Sequence, residues 1–178
     1  MRLIILGPPG SGKGTQSDLI AKKYRLRKVS IGHVLRSEID KRTKEGLKIR
    51  PYVERGDLAP DSLVYKILKP HLSRGNFILD GFPRHLSQIK LIKEKINAVI
   101  YLDCKKEIII KRLQKRKRLE HRKDDEKEVI EYRWLVYKNK SLPLVSYYRK
   151  KGILITINAN LGKNKVFNEI VKKLNELF

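Results

Sequence analysis

The segment Gly7-Pro8-Pro9-Gly10-Ser11-Gly12-Lys13-Gly14-Thr15 constrains this chain more than any other feature. It follows the apolar run Leu3–Leu6 and opens a stretch with helical spacing that begins near Lys13. Glycines let successive backbone N–H groups curl around phosphate oxygens, and a helix N-terminus adds positive potential at the same point. A lysine so placed reaches the β- and γ-phosphates of a nucleoside triphosphate. A plain Gly-Pro turn would join strand to helix without such a lysine. The loop therefore predicts nucleoside triphosphate binding. The strict pattern puts Ser or Thr directly after the lysine, whereas here Gly14 comes first and Thr15 second.

The rest of the chain supplies a matching frame. Strand-like runs recur at Arg2–Leu6, Arg27–Val29, Asn76–Asp80, Ala98–Leu102 and Ile153–Ile157, separated by longer Lys- and Glu-rich stretches with helical spacing. Continuously apolar strands alternating with helices indicate a parallel sheet covered on both faces. Two stretches break the alternation. Ile31–Gly75 carries several helical pieces with no strand between them, and the basic stretch Lys115–Lys123 is expected to interrupt two helices. Insertions of this kind sit over a site at the carboxyl ends of the strands.

With 178 residues the chain suits one domain with a proper core. Its apolar runs are strand-length, so no transmembrane helix is expected. An N-terminus that opens directly into strand and motif argues against a cleaved signal peptide and for a cytoplasmic protein. The single cysteine, Cys104, excludes a disulfide framework and a cysteine-rich zinc cluster. The 42 Lys and Arg against 19 Asp and Glu leave a net charge of +23, which raises nucleic acid as a partner. The basic residues are spread through every segment, however, and no recognition-helix or zinc-finger pattern concentrates them. Most of the charge reads as solvated surface, with no specific nucleic-acid partner.

Further motifs follow the loop in a telling order. GPPGSGKGT resembles the phosphate loop of adenylate kinases and related nucleoside monophosphate kinases. Asp80-Gly81-Phe82-Pro83-Arg84 with Gln88 matches that family's DGFPR…Q. Ser30–Arg36 is similar to its STGDMLR, and Gly56–Asp61 to its G-x-L-V-P-D. Arg122-Lys123-Asp124-Asp125, Arg133, Pro143-Leu144 and Tyr147-Tyr148 resemble the stretch after the lid. The resemblance runs from Met1 to about Gly152, and the final strand and helix carry no distinctive motif.

The resemblance implies an α/β P-loop NTPase-type three-layer fold with a five-stranded parallel sheet. It further implies a single domain over 1–178, with a core of 1–29, 76–114 and 134–178. A helical monophosphate-binding insertion would span 30–75, and a short lid about 115–124. The implied reaction is reversible Mg²⁺-dependent phosphoryl transfer from ATP to AMP, giving two ADP. Such transfer joins two polyanions around dispersed negative charge, so positioned cations do most of the work. By resemblance, Lys13, Arg84, Arg116, Arg122 and Arg133 are catalytic. Gly10, Ser11, Gly12, Lys13, Gly14, Thr15 and Arg112 would hold ATP. Ile31, Arg36, Asp57, Leu58, Ala59, Gly81, Arg84, Gln88, Arg122 and Arg133 would hold AMP. Relatives act mostly as monomers and some archaeal ones as homotrimers, and no segment here decides between them.

Local chemistry supports several of these roles. Arg112 and Arg116 are spaced i,i+4 on a helix starting near Lys105, so they share a face. Asp80 ends an apolar strand beside the loop, which suits Mg²⁺ held partly through water, with Thr15 as a second oxygen. Gln88 lies four residues past Arg84 and is expected on the same helix face, its amide suited to a purine edge. A helix starting at Asp124–Asp125, with Asp125 and Glu128 as a capping-box-like start, would carry Arg133. In it Ile130, Trp134 and Tyr137 form an apolar stripe, so Trp134 reads as core. Cys104 and His121 read as structural or solvent-facing. Five residues separate Arg116 from Arg122, too few for an inserted lid domain, so a loop is expected to close over the triphosphate and shield it from water.

Three positions depart from the family pattern. Ile31 stands where Thr or Ser is usual, His33 where Asp is usual, and His85 where Thr or Asn is frequent. Ile31 can neither donate nor accept a hydrogen bond, and an apolar wall discriminates bases poorly. These changes keep open a broad-specificity or pyrimidine monophosphate kinase. A non-catalytic nucleic-acid-binding P-loop protein is the rival from another class. It would lack the catalytic arginines, all of which are present in this chain.

Overall fold

The computed structural model describes residues 1–72, 75–120 and 126–178. Five strands form one all-parallel sheet: β1 (Arg2–Leu6), β2 (Arg27–Ser30), β3 (Phe77–Asp80), β4 (Ala98–Asp103) and β5 (Leu154–Asn158). The spatial order is β2-β3-β1-β4-β5. Strand β1 lies at the centre because Leu3–Leu6 are apolar on both sides and are covered on both sides.

The core splits by the period-2 alternation of the strands. Ile4, Leu6, Phe77, Leu79, Val99 and Tyr101 pack on one face of the sheet. Leu3, Ile5, Ile78, Ala98, Ile100 and Leu102 pack on the other. Helices α1 (Lys13–Tyr24), α5 (Lys106–Glu120) and α8 (Lys163–Asn175) contribute to the second cluster through Ile20, Ile109, Leu113, Val166, Ile170 and Leu174. Helix α7 (Leu142–Lys150) covers the first with Leu144, Val145 and Tyr148.

Among the described residues, three α-helices lie between β2 and β3, α2 (Ile31–Asp40), α3 (Lys44–Arg55) and α4 (Asp61–Leu68), followed by a 3-10 turn at Lys69–His71. No strand separates them, as the spacing predicts. Thr43 caps α3, its Oγ1 accepting from the Gly46 N–H at 3.0 Å. Gly46 is where α2 and α3 touch. A Cβ placed there would fall 2.0 Å from the Glu38 carbonyl oxygen and 2.8 Å from the Ile39 nitrogen. Both neighbours are backbone and cannot rotate away. Gly46→Ala is therefore expected to cost about 3 kcal/mol by overpacking. In a thermal melt that is a drop of about 10 °C. A loss under about 1 kcal/mol would mean the α2–α3 contact slides freely.

One sequence expectation changes. The basic stretch Lys115–Lys123 is expected to interrupt two helices, yet α5 continues to Glu120. Lys115 to Glu120 contain no glycine or proline and are all good helix formers, so nothing stops the helix. Arg116 thus lies on the helix that its i,i+4 spacing with Arg112 predicts. Helix α6 runs Lys127–Val136 with Glu126 at its N-cap. The expected start at Asp124–Asp125, its capping box and His121 lie outside the described residues. From Tyr137 to Ser141 the chain takes a π-helical turn before α7. Ile130 and Tyr137 are buried, while Trp134 is half-buried and packs against both core clusters.

Candidate functional site

The strand order reverses at β1, so α1 and β2 run to one side and β4 and β5 to the other. Open parallel sheets place ligands at such a switch point, beyond the carboxyl ends of the strands. Here a cleft of about 1180 Å³ occupies that position.

Its floor is the loop between β1 and α1. Gly10 and Gly12 have φ of +77° and +96°, values that only glycine adopts at little cost. At Gly10 a Cβ would also strike Leu113 Cγ at 2.8 Å, so the loop lies directly on α5. Lys13 curls back over the loop, its Nζ donating to the carbonyls of Gly7 at 2.7 Å and Pro8 at 2.8 Å. Burial pushes its amine down to about 7; Asp80 opposes that shift, and Arg84, Arg133 and Arg116 add to it. The cations expected from the sequence thus lie close enough to feel one another. Gly14, Thr15 and Ser11 line the same cleft, with Ser11 buried.

The cleft is walled by residues far apart in sequence. Ile31 and Arg36 come from α2, and Asp57, Leu58 and Ala59 follow α3. Gly81, Arg84 and Gln88 follow β3; Arg112 and Arg116 lie on α5 and Arg133 on α6. Arg112 bridges two loops, donating to the Ser11 carbonyl at 3.3 Å and the Leu161 carbonyl at 3.1 Å. Arg122 lies outside the described residues. Every other residue expected to bind or catalyse lines this one cleft.

Comparison with known proteins fits this geometry. The model of the family described as adenylate kinase matches residues 5–153. The chain belongs to the adenylate kinase family. Among relatives so named, that of Thermobifida fusca is 39% identical over 170 residues, 89% of this chain and 90% of the relative. That of Leptospira biflexa is 39% identical over 184 residues, covering 97% and 99%. That of Azobacteroides pseudotrichonymphae is 42% identical over 186 residues, covering 98% and 97%. The chain is accordingly an enzyme of the nucleoside monophosphate kinase class.

Within this adenylate kinase family member, Asp80 is buried at the end of β3, level with Ile5 of β1 and Ser30 of β2. Ser30 Oγ donates to Asp80 Oδ2 at 3.0 Å, and a Cβ on Gly14 would lie 3.7 Å from that same oxygen. Asp80 therefore faces the loop. Arg84 is held at three points. Its Nε donates to the Gly81 carbonyl at 3.0 Å, its N–H to Gln88 Oε1 at 2.8 Å, and its carbonyl accepts from Ser141 Oγ at 2.7 Å.

The placement of Gln88 corrects one sequence expectation. Arg84 precedes the 3-10 turn Leu86–Leu91 that carries Gln88, so the two do not share a helix face. Arg84 lies in the irregular segment between β3 and that turn, outside any helix. Gln88 reaches back to the Arg84 backbone instead. Cys104 is buried against the Ala159 carbonyl and beside Arg112, and burial raises its thiol above the usual range. That fits an inert structural cysteine.

Several site residues carried no local signal in the sequence. Ser141 reaches Arg84 only through the π-helical turn. Lys28 lies at the phosphate loop, donating to the Gly14 carbonyl at 3.1 Å and to Asp18 at 2.7 Å. By contrast Gly56, the first residue of the Gly56–Asp61 motif, carries φ +79°, and a Cβ there would meet Arg133 Cγ at 2.6 Å. Tyr132 donates to Asp57 at 3.2 Å, so α6 touches the insertion directly. Among the described residues no group of three or more His, Cys, Asp or Glu could hold a metal ion. Among them, no helix is long and apolar enough to cross a membrane.

Proposed function

We propose that the cleft catalyses reversible phosphoryl transfer from ATP to AMP, giving two ADP. The observation that carries this reading is the meeting of Lys13, Arg36, Arg84, Arg116 and Arg133 in one cleft between the phosphate loop and the three-helix insertion. In the transfer an acceptor phosphate oxygen bonds to the γ-phosphorus as the β–γ bridging bond breaks, and the bridging oxygen leaves with ADP. The chemistry needs aligned reactants and positive charge, and no covalent nucleophile.

In this reading the glycines of the loop and Lys13 hold the donor phosphates, while Arg112 stays against the donor side between Ser11 and Leu161. Arg36 and Arg84 fork onto the acceptor phosphate, for which guanidinium geometry is well matched. Arg116 and Arg133, with Arg122, stabilise the charge on the group in flight. Ile31, Asp57, Leu58, Ala59, Gly81 and Gln88 surround the acceptor nucleoside. A buried carboxylate facing the loop offers a hard oxygen ligand of the kind Mg²⁺ takes, and Thr15 lines the same cleft. Asp80 and Thr15 would hold the ion, which neutralises phosphate charge when bound. The insertion 30–75 and a short lid near 115–124 would close over the substrates and exclude water. In this reading the chain acts as a monomer, by the default of the family, with a homotrimer as the alternative, in the cytoplasm where ATP and AMP are at hand.

A coupled assay with ATP, Mg²⁺ and each of AMP, GMP, CMP and UMP tests the reading. Turnover with AMP well above the others is expected. Comparable turnover with all four would show that Ile31 leaves the base unread, and none with any would overturn the kinase assignment.

A further inference from the structure

Gln88 is 2% exposed, lines the cleft, and has both ends of its amide engaged by the protein. Its Oε1 accepts the Arg84 N–H at 2.8 Å, and its Nε2 donates to Asp61 Oδ1 at 2.8 Å. These partners leave no choice of orientation. A backbone N–H can only donate, and an ionised carboxylate can only accept. The amide oxygen must face Arg84 and the amide nitrogen must face Asp61.

Asp61 is itself braced. His85 Nε2 lies 2.9 Å from Oδ1, and Ser87 Oγ donates to Oδ2 at 2.7 Å. Ser87 Oγ also lies 2.9 Å from His85 Nδ1, which closes a ring of Asp61, Ser87 and His85. Burial works to raise the Asp61 carboxyl, yet hydrogen bonds from Gln88, Ser87 and His85 hold it below the usual range. It therefore stays an acceptor through neutral pH.

We propose that Asp61, braced by His85, fixes the amide of Gln88 so that the acceptor site favours 6-aminopurine over 6-oxopurine monophosphates. The proposal rests on the reading that the acceptor base meets Gln88. After its two internal bonds the amide has one acceptor lone pair and one N–H left, in a set order. Adenine presents an N6–H donor beside the N1 acceptor. Hypoxanthine and guanine present the reverse, an O6 acceptor beside an N1–H donor. A rotating amide serves both patterns; a locked one serves one and leaves the other with unpaired polar groups. Asp61 and His85 are thus positioning residues that act through Gln88.

The test compares AMP with IMP as acceptors. In Asp61→Ala the AMP KM is expected to rise about tenfold with kcat within twofold, the scale of one lost hydrogen bond. The ratio of kcat/KM for IMP over AMP should rise by about the same factor. His85→Leu should move both in the same direction by less, and His85→Gln, which keeps a donor toward Asp61, should restore the wild-type ratio. That pair carries the test if Asp61→Ala folds poorly. A purely structural role would lower the melting temperature and leave the IMP:AMP ratio unchanged. That result, alongside a changed AMP KM in Gln88→Ala, overturns the proposal while the reading of the site stands. Wild-type protein without transfer to AMP would overturn the reading itself.

Discussion

Lys13→Met is expected to lower kcat by at least about 10²- to 10³-fold, the cost of removing one preorganised charge from a transfer site. The same variant is expected to be more stable than wild type at pH 7. Burial in the loop, with a smaller push from Arg84, Arg133 and Arg116 and against the pull of Asp80, takes the amine from the ordinary 10.5 down to about 7. Between those values the unfolded chain binds more protons at this site than the folded one. Wild-type stability therefore gains from this group as pH rises from 7 toward 10.5. The advantage of Lys13→Met should be fully present below pH 7 and shrink through that window. Melts of both proteins at pH 6.5, 8 and 9.5 check the sign. An advantage that grows with pH would show that the lysine is not strained by its surroundings. Phosphate binding should also recharge the amine, so ATP titrations at pH 8 should take up protons. Calorimetry in two buffers of different ionisation enthalpy reads that uptake directly.

Arg84→Ala is expected to cost about 10²- to 10³-fold in kcat/KM for AMP, with little loss of melting temperature. The argument rests on how the residue is held. The Gly81 carbonyl, Gln88 and Ser141 anchor its side chain or backbone, so its direction is set before substrate arrives. That preorganisation removes the entropy cost of recruiting a flexible cation at the moment of reaction. The backbone bonds survive truncation to alanine, which keeps the fold intact. Arg84→Lys keeps the charge but loses the planar fork, and should recover only part of the rate. Steady-state kinetics on the three proteins decide the matter. If Arg84→Ala keeps more than a tenth of wild-type kcat/KM, this guanidinium does not touch the group being transferred.

Much of this was legible in the chain itself. Covalent order determined the loop: Gly7 to Thr15 act through neighbouring backbone groups, so glycine spacing and one lysine define their geometry locally. The alternation of apolar strands with helices determined a parallel sheet, because strands buried on both faces must be apolar throughout. Helix α5 shows where local reading went astray. The stretch Lys115–Lys123 reads as an interruption between two helices, whereas nothing as far as Glu120 ends a helix that has no glycine or proline in it. Only tertiary structure decided which residues far apart in the chain meet. Sheet order puts Ser30 beside Asp80. The π-helical turn delivers Ser141 to the Arg84 carbonyl, and the start of α4 brings Asp61 to His85. No spacing rule records such pairs, since each depends on how two separately folded elements are packed. Local sequence determined what chemistry the residues could do; packing decided which of them hold one another in place to do it.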